Sequence, residues 1–412
     1  MRKEREIHLP DGFLYALAEI VLYPYLAIAY RVRVVRDPAV RALKPPFLVI
    51  GNHPSIWDPF NMSRALHPFR ISFLTSNLFF RHSLVGWLLR GVGAIPKIQF
   101  RSDPTALKAM LRVISLKGVI GIFPEGTRSA DGSTLRVRDA LSKLVKKAGM
   151  PVVVVISKGA YLSRPRWTTS GNRRGHVTVE SRVLLDADQA KGLPVEKIRE
   201  AIESAIHYNE YDWQRTARIP FRGKALAESV DSVLHKCPRC RADWTMRSKG
   251  DRLFCSACGN AAVMDEYGLF APETPESVVF EDASAWNAWQ RAEVARTAAE
   301  PDFRMESRVR LRISDLEQPF RDAGDGSIVL DRAGLRYSGM NAGTPIAQTF
   351  PLPGILGISA DYGENFEIVM DKTTYRFYLE NGCQVISYSH AIDHLREESA
   401  RKGARTSQEE PA

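Results

Sequence analysis

The chain has 412 residues, 44% of them hydrophobic and 25% charged, which is ordinary for a globular protein and excludes a chain that is disordered throughout. Its length predicts two or three domains. The net charge of +10 is concentrated between residues 97 and 174, which contain sixteen Lys and Arg but four acids. This local positive charge indicates an anionic substrate and an anionic membrane surface, unless it only keeps helix faces soluble.

The first 44 residues are predicted to form a membrane-associated helical segment. Residues 1 to 11 are charged and no small-residue cleavage site follows, which excludes a secretory signal. The nineteen residues from Gly12 to Tyr30 are largely apolar, but Glu19 and Pro24 interrupt them. Because an acid at mid-bilayer costs about 2.5–3.5 kcal/mol, we expect a helical hairpin that lies in one leaflet. A membrane-spanning helix and a buried core helix are the alternatives.

Apolar runs and helical spacings alternate between residues 45 and 215, which predicts an α/β domain. The predicted strands are residues 47–50, 73–75, 119–123 and 152–156. The predicted helices are residues 61–66, 83–90, 103–117 and 138–148. In an open α/β sheet the functional site lies at the carboxyl ends of the strands, so polar residues directly after a strand are candidates.

A histidine and an aspartate, His53 and Asp58, follow the strand at residues 47–50. Histidine is suited to take a proton near neutral pH, and a carboxylate that accepts from one ring nitrogen leaves the other nitrogen free as a base. A nucleophile is missing nearby, since the sequence has no G-x-S-x-G and no cysteine in its first 236 residues. The pair is therefore predicted to activate a hydroxyl group that the substrate supplies.

The sequence P-E-G-T-R-S, from Pro124 to Ser129, follows the strand at residues 119–123. Arginine binds phosphate through two parallel N–H groups, so Arg128 is a candidate phosphate ligand. Gly126 allows backbone amides to approach an anion. Glu125 only accepts hydrogen bonds, and we expect it to hold Arg128 or to receive a hydroxyl group of a glycerol-like substrate.

In order and spacing, these stretches resemble the four sequence blocks of the glycerolipid acyltransferase family, specifically the bacterial 1-acyl-sn-glycerol-3-phosphate (lysophosphatidic acid) acyltransferases. The family pattern is N-H-x-x-x-x-D, G-x-I-P with a basic residue, F-P-E-G-T-R-S and P-V-V-P-V. Here the blocks are residues 52–58, 93–97, 123–129 and 151–155. The fourth block departs from the pattern at Val154, where a second proline is usual, so it supports the fold rather than a site. The basic residue of the second block is Lys97 or Arg101.

The resemblance implies that the chain moves a fatty acyl group from acyl-CoA or acyl carrier protein to the sn-2 hydroxyl of lysophosphatidic acid, giving phosphatidic acid. His53 is then the general base and Asp58 orients it. The residues assigned to the substrate phosphate are Glu125, Gly126, Thr127, Arg128, Lys97 and Arg101. The expected location is the cytoplasmic face of a membrane. An acyltransferase for a different lysophospholipid and a non-catalytic phospholipid-binding adaptor are the alternatives.

Two C-x-x-C pairs, separated by fourteen residues, predict a structural zinc ribbon at residues 230–272. The predicted ligands are Cys237, Cys240, Cys255 and Cys258. A rubredoxin-type iron centre and a metal-free loop are the alternatives. The thiolate cluster also indicates a reducing compartment, in which Cys383 is left unpaired. Because aromatic residues are few and both charge signs are present, we expect a small stapled module that does not bind nucleic acid.

The rest of the chain is predicted to form a connector helix at residues 273–304 and a β-rich domain at residues 305–403. The β-rich domain shows six strand patterns separated by turn residues and a last helix at residues 387–402. The strand patterns are residues 309–313, 328–330, 335–337, 355–359, 366–370 and 375–379. This order resembles a pleckstrin-homology-like barrel, a resemblance of fold that leaves open whether the domain binds lipid, a partner or neither. Residues 404–412 are predicted to be disordered.

Overall fold

The computed structural model describes residues 8–99, 103–137, 140–315 and 318–409. The chain divides into two units. Unit 1 comprises Met1–Arg166, Gly171–Lys224 and Glu266–Gly268. Unit 2 comprises Trp167–Ser170, Ala225–Asp265 and Leu269–Ala412.

Unit 1 has the helices and strands of an α/β domain. The helices are α1 (Gly12–Ala29), α2 (Pro38–Ala42), α3 (Asp58–Leu66), α4 (Ser83–Gly91), α5 (Pro104–Ser115), α6 (Ala140–Ala148), α7 (Ala160–Ser163), α8 (Ala187–Gly192), α9 (Val195–Ile206) and α10 (Glu210–Ala217). The strands are β1 (Arg33–Arg36), β2 (Phe47–Gly51), β3 (Ile71–Ser76), β4 (Ile95–Lys97), β5 (Val119–Ile122), β6 (Val152–Lys158) and β7 (Thr178–Leu185).

The strands of unit 1 form one sheet in the order β1-β7-β6-β2-β5-β3-β4. The central strand β2 pairs in parallel with β5 and β6, and β3 and β4 continue the parallel arrangement. At the other end, β7 runs antiparallel to β6 and pairs in parallel with β1. The strands from β6 to β4 therefore bring their carboxyl ends to one edge of the sheet.

Helices cover both faces of this sheet because side chains of β2 alternate between the faces. Leu48 and Ile50 belong to a buried cluster that includes residues of α5, α6 and α9. Phe47 and Val49 belong to a second buried cluster, with residues of α1 and α3. The α/β class predicted for this region is confirmed, and its central strand places the following loop at the sheet edge.

The N-terminal helix α1 is one continuous helix, not the hairpin that the sequence predicted. A single proline, Pro24, lies inside it, and a lone proline kinks a helix without reversing the chain. Tyr15 anchors α1 to the domain, since its hydroxyl lies 2.7 Å from Ser63 Oγ and accepts from Ile71 N at 3.1 Å. By length and composition α1 could cross a membrane, and 11% of its residues are buried.

Unit 2 consists of a small sheet, a connecting helix and a larger sheet with a terminal helix. The small sheet contains β8 (Met246–Lys249), β9 (Arg252–Cys255), β10 (Ala261–Met264) and β11 (Phe270–Pro272), and α11 (Ala283–Ala298) follows. The larger sheet contains β12 (Arg304–Asp315), β13 (Arg321–Asp331), β14 (Gly334–Asn341), β15 (Thr344–Pro351), β16 (Ile358–Asp361), β17 (Asn365–Met370) and β18 (Thr373–Leu379), and α12 (Gln384–Glu409) ends the unit.

Both sheets of unit 2 are antiparallel, with the orders β11-β10-β9-β8 and β15-β14-β13-β12-β18-β17-β16. The side chains of Val385, Tyr388 and Ile392 on α12 are buried in one core with the larger sheet. The mostly-β character predicted for this region is confirmed.

The β-rich region differs from the sequence prediction at several points. The strand β15 was not predicted, and its ends carry Pro345 and Pro351; it lies at the sheet edge, where proline is tolerated. The strand predicted at residues 355–359 begins at Ile358. The tail predicted to be disordered from residue 404 is helical up to Glu409, since α12 continues past the expected end.

Candidate active site

Three of the predicted site segments lie at the carboxyl edge of the sheet in unit 1. His53 follows β2, Glu125 follows β5, and Lys97 is the last residue of β4. Because these strands are parallel, their carboxyl ends share one edge, as the sequence predicted. Arg101, the other basic residue proposed for the second block, lies outside the described residues.

His53 and Asp58 are paired in the loop between β2 and α3. Nδ1 of His53 lies 2.9 Å from Oδ2 of Asp58, and the amide of Ser55 donates to the same oxygen at 2.7 Å. The side chain of Asp58 is 1% exposed, whereas that of His53 is 19% exposed. The ring is therefore held through Nδ1 and still reaches solvent. When the proton is on Nδ1, Nε2 can act as a base toward a hydroxyl group.

The asparagine before the histidine fixes the start of this loop. Oδ1 of Asn52 accepts from Ser157 N at 2.8 Å, and its Nδ2 donates to Ser157 O at 3.1 Å. Ser157 lies in β6, next to β2 in the sheet. Asn52 thus extends the pairing of β2 and β6 beyond the last strand residue, and its role is structural.

Glu125 connects two backbone segments of the site through its side chain. Its side chain is buried; Oε1 accepts from His53 N at 2.7 Å and Oε2 accepts from Leu135 N at 2.8 Å. Burial raises the pKa of Glu125 to about 8, and the two amide bonds act in the opposite direction. The sequence analysis expected Glu125 to hold Arg128 or to receive a substrate hydroxyl. In the structure, both carboxylate oxygens bind backbone amides, because the buried carboxylate needs donors on both sides.

Residues 125–128, here called the EGTR loop, are attached to their surroundings at several points. Gly126 has a φ of +75°, a conformation that favours glycine. Its carbonyl accepts from Gln99 Nε2 at 3.2 Å. Ser129 N, directly after the loop, donates to His53 O at 3.0 Å. The EGTR loop is therefore joined both to the segment after β4 and to the backbone of the histidine.

The surroundings of His53 favour its neutral form. Burial lowers the pKa of His53 to about 3, and the positive charges of Arg128 and Arg166 act in the same direction. The ring stacks on Phe123, with the ring centroids 4.2 Å apart. Burial also raises the pKa of Asp58 above its usual value, which the charge of Arg128 opposes. A neutral imidazole is the form that a general base requires.

Sequence reasoning missed three residues that shape this site: Phe123, Gln99 and Arg166. Phe123 was assigned to a strand, although its ring supports the imidazole. Gln99 lies two residues after Lys97. Its closeness to the second sequence block was the feature of the sequence that could have identified it. Nη1 of Arg166 donates to Thr127 Oγ1 and to Arg128 O, each at 3.1 Å. Arg166 belongs to the basic region between residues 97 and 174, but nothing in the local sequence connects it to the EGTR loop.

The four cysteines of the two C-x-x-C pairs come together in unit 2. Their sulfur atoms all lie within 4.8 Å of one another. Sγ of Cys237 is 3.7 Å from that of Cys258, and Sγ of Cys240 is 3.7 Å from that of Cys255. These distances exclude disulfide bonds, which need about 2.05 Å. They match the separation of about 3.8 Å between sulfurs that surround Zn²⁺ tetrahedrally with bonds of about 2.3 Å.

Hydrogen-bond donors around the cysteines fit a cluster of thiolates. The amide of Ala257 donates to Cys255 Sγ at 3.4 Å, and Asn260 Nδ2 donates to Cys237 Sγ at 3.7 Å. Donors of this kind reduce the negative charge on the sulfurs and orient the ligands. The four residues could therefore hold a metal ion.

Comparison with known proteins shows that part of unit 1 is similar to acyltransferases. Residues 31–158 match the family model described as Acyltransferase. A 1-acyl-sn-glycerol-3-phosphate acyltransferase from Chlamydomonas reinhardtii is 25% identical over 179 residues, which cover 43% of this chain and 53% of that protein. The 1-acyl-sn-glycerol-3-phosphate acyltransferase beta from Homo sapiens is 25% identical over 202 residues, covering 47% of this chain and 69% of that protein.

Among solved structures, the 1-acyl-sn-glycerophosphate (LPA) acyltransferase PlsC from Thermotoga maritima matches 50% of this chain and 92% of its own, with 19% identity and a TM-score of 0.38. The chain spans about half the length of the curated relatives that it matches, with 53%, 44% and 46% of three plant and algal proteins covered. The matched region includes the paired His53 and Asp58 and the whole EGTR loop.

The ionisation of His53 provides a test of this geometry. We expect the ring to remain neutral at about pH 6, because burial and the two guanidinium groups place its pKa below the usual 6.5. The measurement is a pH titration of histidine ring NMR signals, with the His53 signal assigned by its loss in His53→Gln. A midpoint at or above 6.5 would mean that the negative charge of Asp58 outweighs burial and the two arginines.

Proposed function

We propose that this chain is a 1-acyl-sn-glycerol-3-phosphate acyltransferase, which moves a fatty acyl group from a coenzyme A or acyl carrier protein thioester to the sn-2 hydroxyl of lysophosphatidic acid. The observation that carries the proposal is the bond between His53 and Asp58 at 2.9 Å, in a loop joined to the arginine-containing EGTR loop. The names of the relatives that match unit 1 support it.

The proposed reaction is direct transfer of the acyl group with His53 as general base. Nε2 takes the proton of the acceptor hydroxyl as its oxygen attacks the thioester carbonyl carbon. When the tetrahedral adduct collapses, the carbon–sulfur bond breaks and the imidazolium returns the proton to the departing thiolate. The products are phosphatidic acid and the free thiol of the carrier. Asp58 holds the ring in the tautomer with the proton on Nδ1 and stabilises the imidazolium.

We assign the phosphate of the acceptor to the EGTR loop and its neighbours. Arg128 offers a planar fork that suits a phosphate, and Lys97 ends a parallel strand at the same sheet edge. Gly126 and Thr127 contribute backbone, and the φ of +75° at Gly126 is a conformation that favours glycine. Glu125 contributes indirectly, because its carboxylate holds the amide of His53.

We further propose that α1 rests on the cytoplasmic face of a membrane. Five of its exposed side chains are apolar and fall within about 100° of the helix circumference at 3.6 residues per turn. They are Phe13, Leu17, Ile20, Val21 and Ile28, each at least 47% exposed. An uncharged stripe of this size is unfavourable in water and suits the boundary between headgroups and acyl chains. The exposed Arg31 and Arg33 follow the helix and suit anionic headgroups.

We assign a structural zinc ion to the four cysteines of unit 2. The sulfur separations fit a closed tetrahedral site, which leaves no position for a substrate. Zinc would stabilise the small sheet β8–β11, whose strands of three or four residues form a limited core.

Replacement of His53 tests the proposed acyltransferase activity. We expect His53→Ala to lower kcat for phosphatidic acid formation by at least about 100-fold, because general-base catalysis contributes typically 10²–10⁴-fold. The measurement is thin-layer detection of phosphatidic acid from lysophosphatidic acid and acyl-CoA or acyl carrier protein thioester, in detergent or liposomes.

The matched control is His207→Ala, an exposed histidine after α9, which should keep wild-type turnover. Turnover above a few percent of wild type in His53→Ala would refute the base assignment. Wild-type protein that binds lysophosphatidic acid but makes no product would favour a lipid-binding adaptor. Assays with a panel of other lysophospholipids distinguish an enzyme that uses a different acceptor from a protein that has no acyltransferase activity.

The exposed stripe of α1 tests the membrane proposal. We expect Ile20→Glu with Ile28→Glu to weaken binding to vesicles more than tenfold, because each buried isoleucine contributes about 1.5–3 kcal/mol. The measurement is co-sedimentation with phosphatidylcholine–phosphatidylglycerol vesicles. The control is Val278→Glu, an exposed apolar residue of unit 2. Equal binding of the double variant and the control would exclude α1 as the membrane contact.

Metal analysis tests the zinc assignment. We expect one zinc per purified chain, lost in Cys240→Ser and retained in Cys383→Ser, because four thiolates hold the ion and Cys383 lies outside the cluster. The measurements are elemental analysis and thermal unfolding, in which the Cys240 variant should be less stable. One iron per chain, or no metal with unchanged stability, would contradict zinc.

A further inference from the structure

Arg166 contacts two consecutive residues of the EGTR loop from a distant part of the chain. It lies three residues after α7, and its side chain is partly buried. Nη1 donates to Thr127 Oγ1 and to Arg128 O, each at 3.1 Å. A single guanidinium group therefore bonds both a side chain and a backbone carbonyl of the loop that contains the predicted phosphate ligand.

The peptide unit after Arg128 connects Arg166 with the histidine. In a trans peptide the C=O and the following N–H point in opposite directions. Here the carbonyl of Arg128 accepts from Arg166, and the amide of Ser129 donates to His53 O at 3.0 Å. Rotation of this peptide would break both bonds together. Arg166 thus helps to fix the orientation of the loop relative to the backbone of His53.

The charge of Arg166 also reaches the imidazole. Burial is the main cause that lowers the pKa of His53, and the positive charges of Arg128 and then Arg166 lower it further. The other ionisable groups around this histidine are Asp58, bonded to Nδ1, and Glu125, bonded to its backbone amide. Arg166 therefore acts on the site in two ways that can be measured separately, through directed hydrogen bonds and through charge.

We propose that Arg166 is a positioning residue of the acceptor site, which holds the EGTR loop so that Arg128 faces a phosphate monoester beside His53. This inference rests on the proposed function. It adds a residue outside the four sequence blocks to the machinery, one whose role depends on a contact across 39 residues of sequence. The ligand class is an anion that carries a phosphate monoester, such as lysophosphatidic acid.

Lysine at residue 166 separates the two effects. An ammonium group keeps the positive charge, but its side chain is shorter and its donors are not arranged in a plane. We expect Arg166→Lys to preserve the ionisation of His53 and to impair the binding of phosphate. Arg166→Gln removes both the charge and the reach of the guanidinium.

We expect Arg166→Gln to raise KM for lysophosphatidic acid about ten- to hundredfold, with a smaller change in KM for the thioester donor, because charge-assisted bonds to the loop are lost. Arg166→Lys should show most of the same rise. The matched control is Arg164→Gln, which removes an exposed arginine of the same segment that bonds Asn172 at 2.8 Å. The control should keep wild-type KM values.

The second readout is the NMR titration midpoint of the His53 ring. It should move upward in Arg166→Gln, because a positive neighbour is removed, and stay near wild type in Arg166→Lys and Arg164→Gln. A change that merely loosened the fold would not separate the lysine and glutamine variants in this way. Thermal unfolding shows whether Arg166→Gln is folded. If it is not, the KM comparison with Arg164→Gln is made with Arg166→Lys instead.

The two proposals fail in distinguishable ways. If wild-type protein transfers no acyl group to lysophosphatidic acid, the proposed function fails. The role of Arg166 is then tested by the NMR pH titration of the His53 ring. It is also tested by the binding of inorganic phosphate, which is measured through changes in the His53 NMR signal. If Arg166→Gln matches Arg164→Gln in phosphate affinity, in KM and in the titration midpoint, the positioning role is wrong, whatever the activity of the wild type.

Discussion

The buried carboxylate of Glu125 holds together the two loops that form the site in unit 1. One oxygen binds the amide of His53 after β2, and the other binds the amide of Leu135 beyond the EGTR loop. Displacing either backbone segment would leave a buried oxygen without its donor, which costs about 1–3 kcal/mol or more. The loops therefore keep a fixed relation to each other, and a base is useful only when its substrate is held at a fixed position.

The charges around His53 reconcile two conflicting demands of the proposed function. A site for a phosphate monoester needs positive charge, whereas a general base must be able to accept a proton. Burial lowers the pKa of the His53 imidazole, and the positive charge of Arg128 lowers it further. The ring thus stays neutral beside the cations. Asp58 contacts Nδ1 of the ring, and in the proposed reaction it would stabilise the imidazolium.

Unit 2 contains two sheets that differ in the size of their cores. Its small sheet of short strands carries the four clustered cysteines, while the larger sheet and α12 share an extensive apolar core. Polar contacts connect these parts, since Trp244 Nε1 donates to Ser387 Oγ at 3.0 Å and that hydroxyl lies 3.1 Å from His235 Nε2. Trp244 lies between the two C-x-x-C pairs and Ser387 lies on α12, so the cysteine module and the β-rich sheet share one network within the unit.

The sequence by itself determined the α/β class of unit 1, the pairing of His53 with Asp58 and the cysteine cluster, because these features depend on local periodicity and on residues at short fixed spacings. Only the tertiary structure decided that Glu125 binds two backbone amides and that Arg166 reaches the EGTR loop. Those contacts join residues 72 and 39 positions apart, and no local pattern encodes which distant donor a buried acceptor will meet. The position of α1 likewise depends on Tyr15, whose hydroxyl contacts Ser63 of α3 and Ile71 of β3, far along the chain.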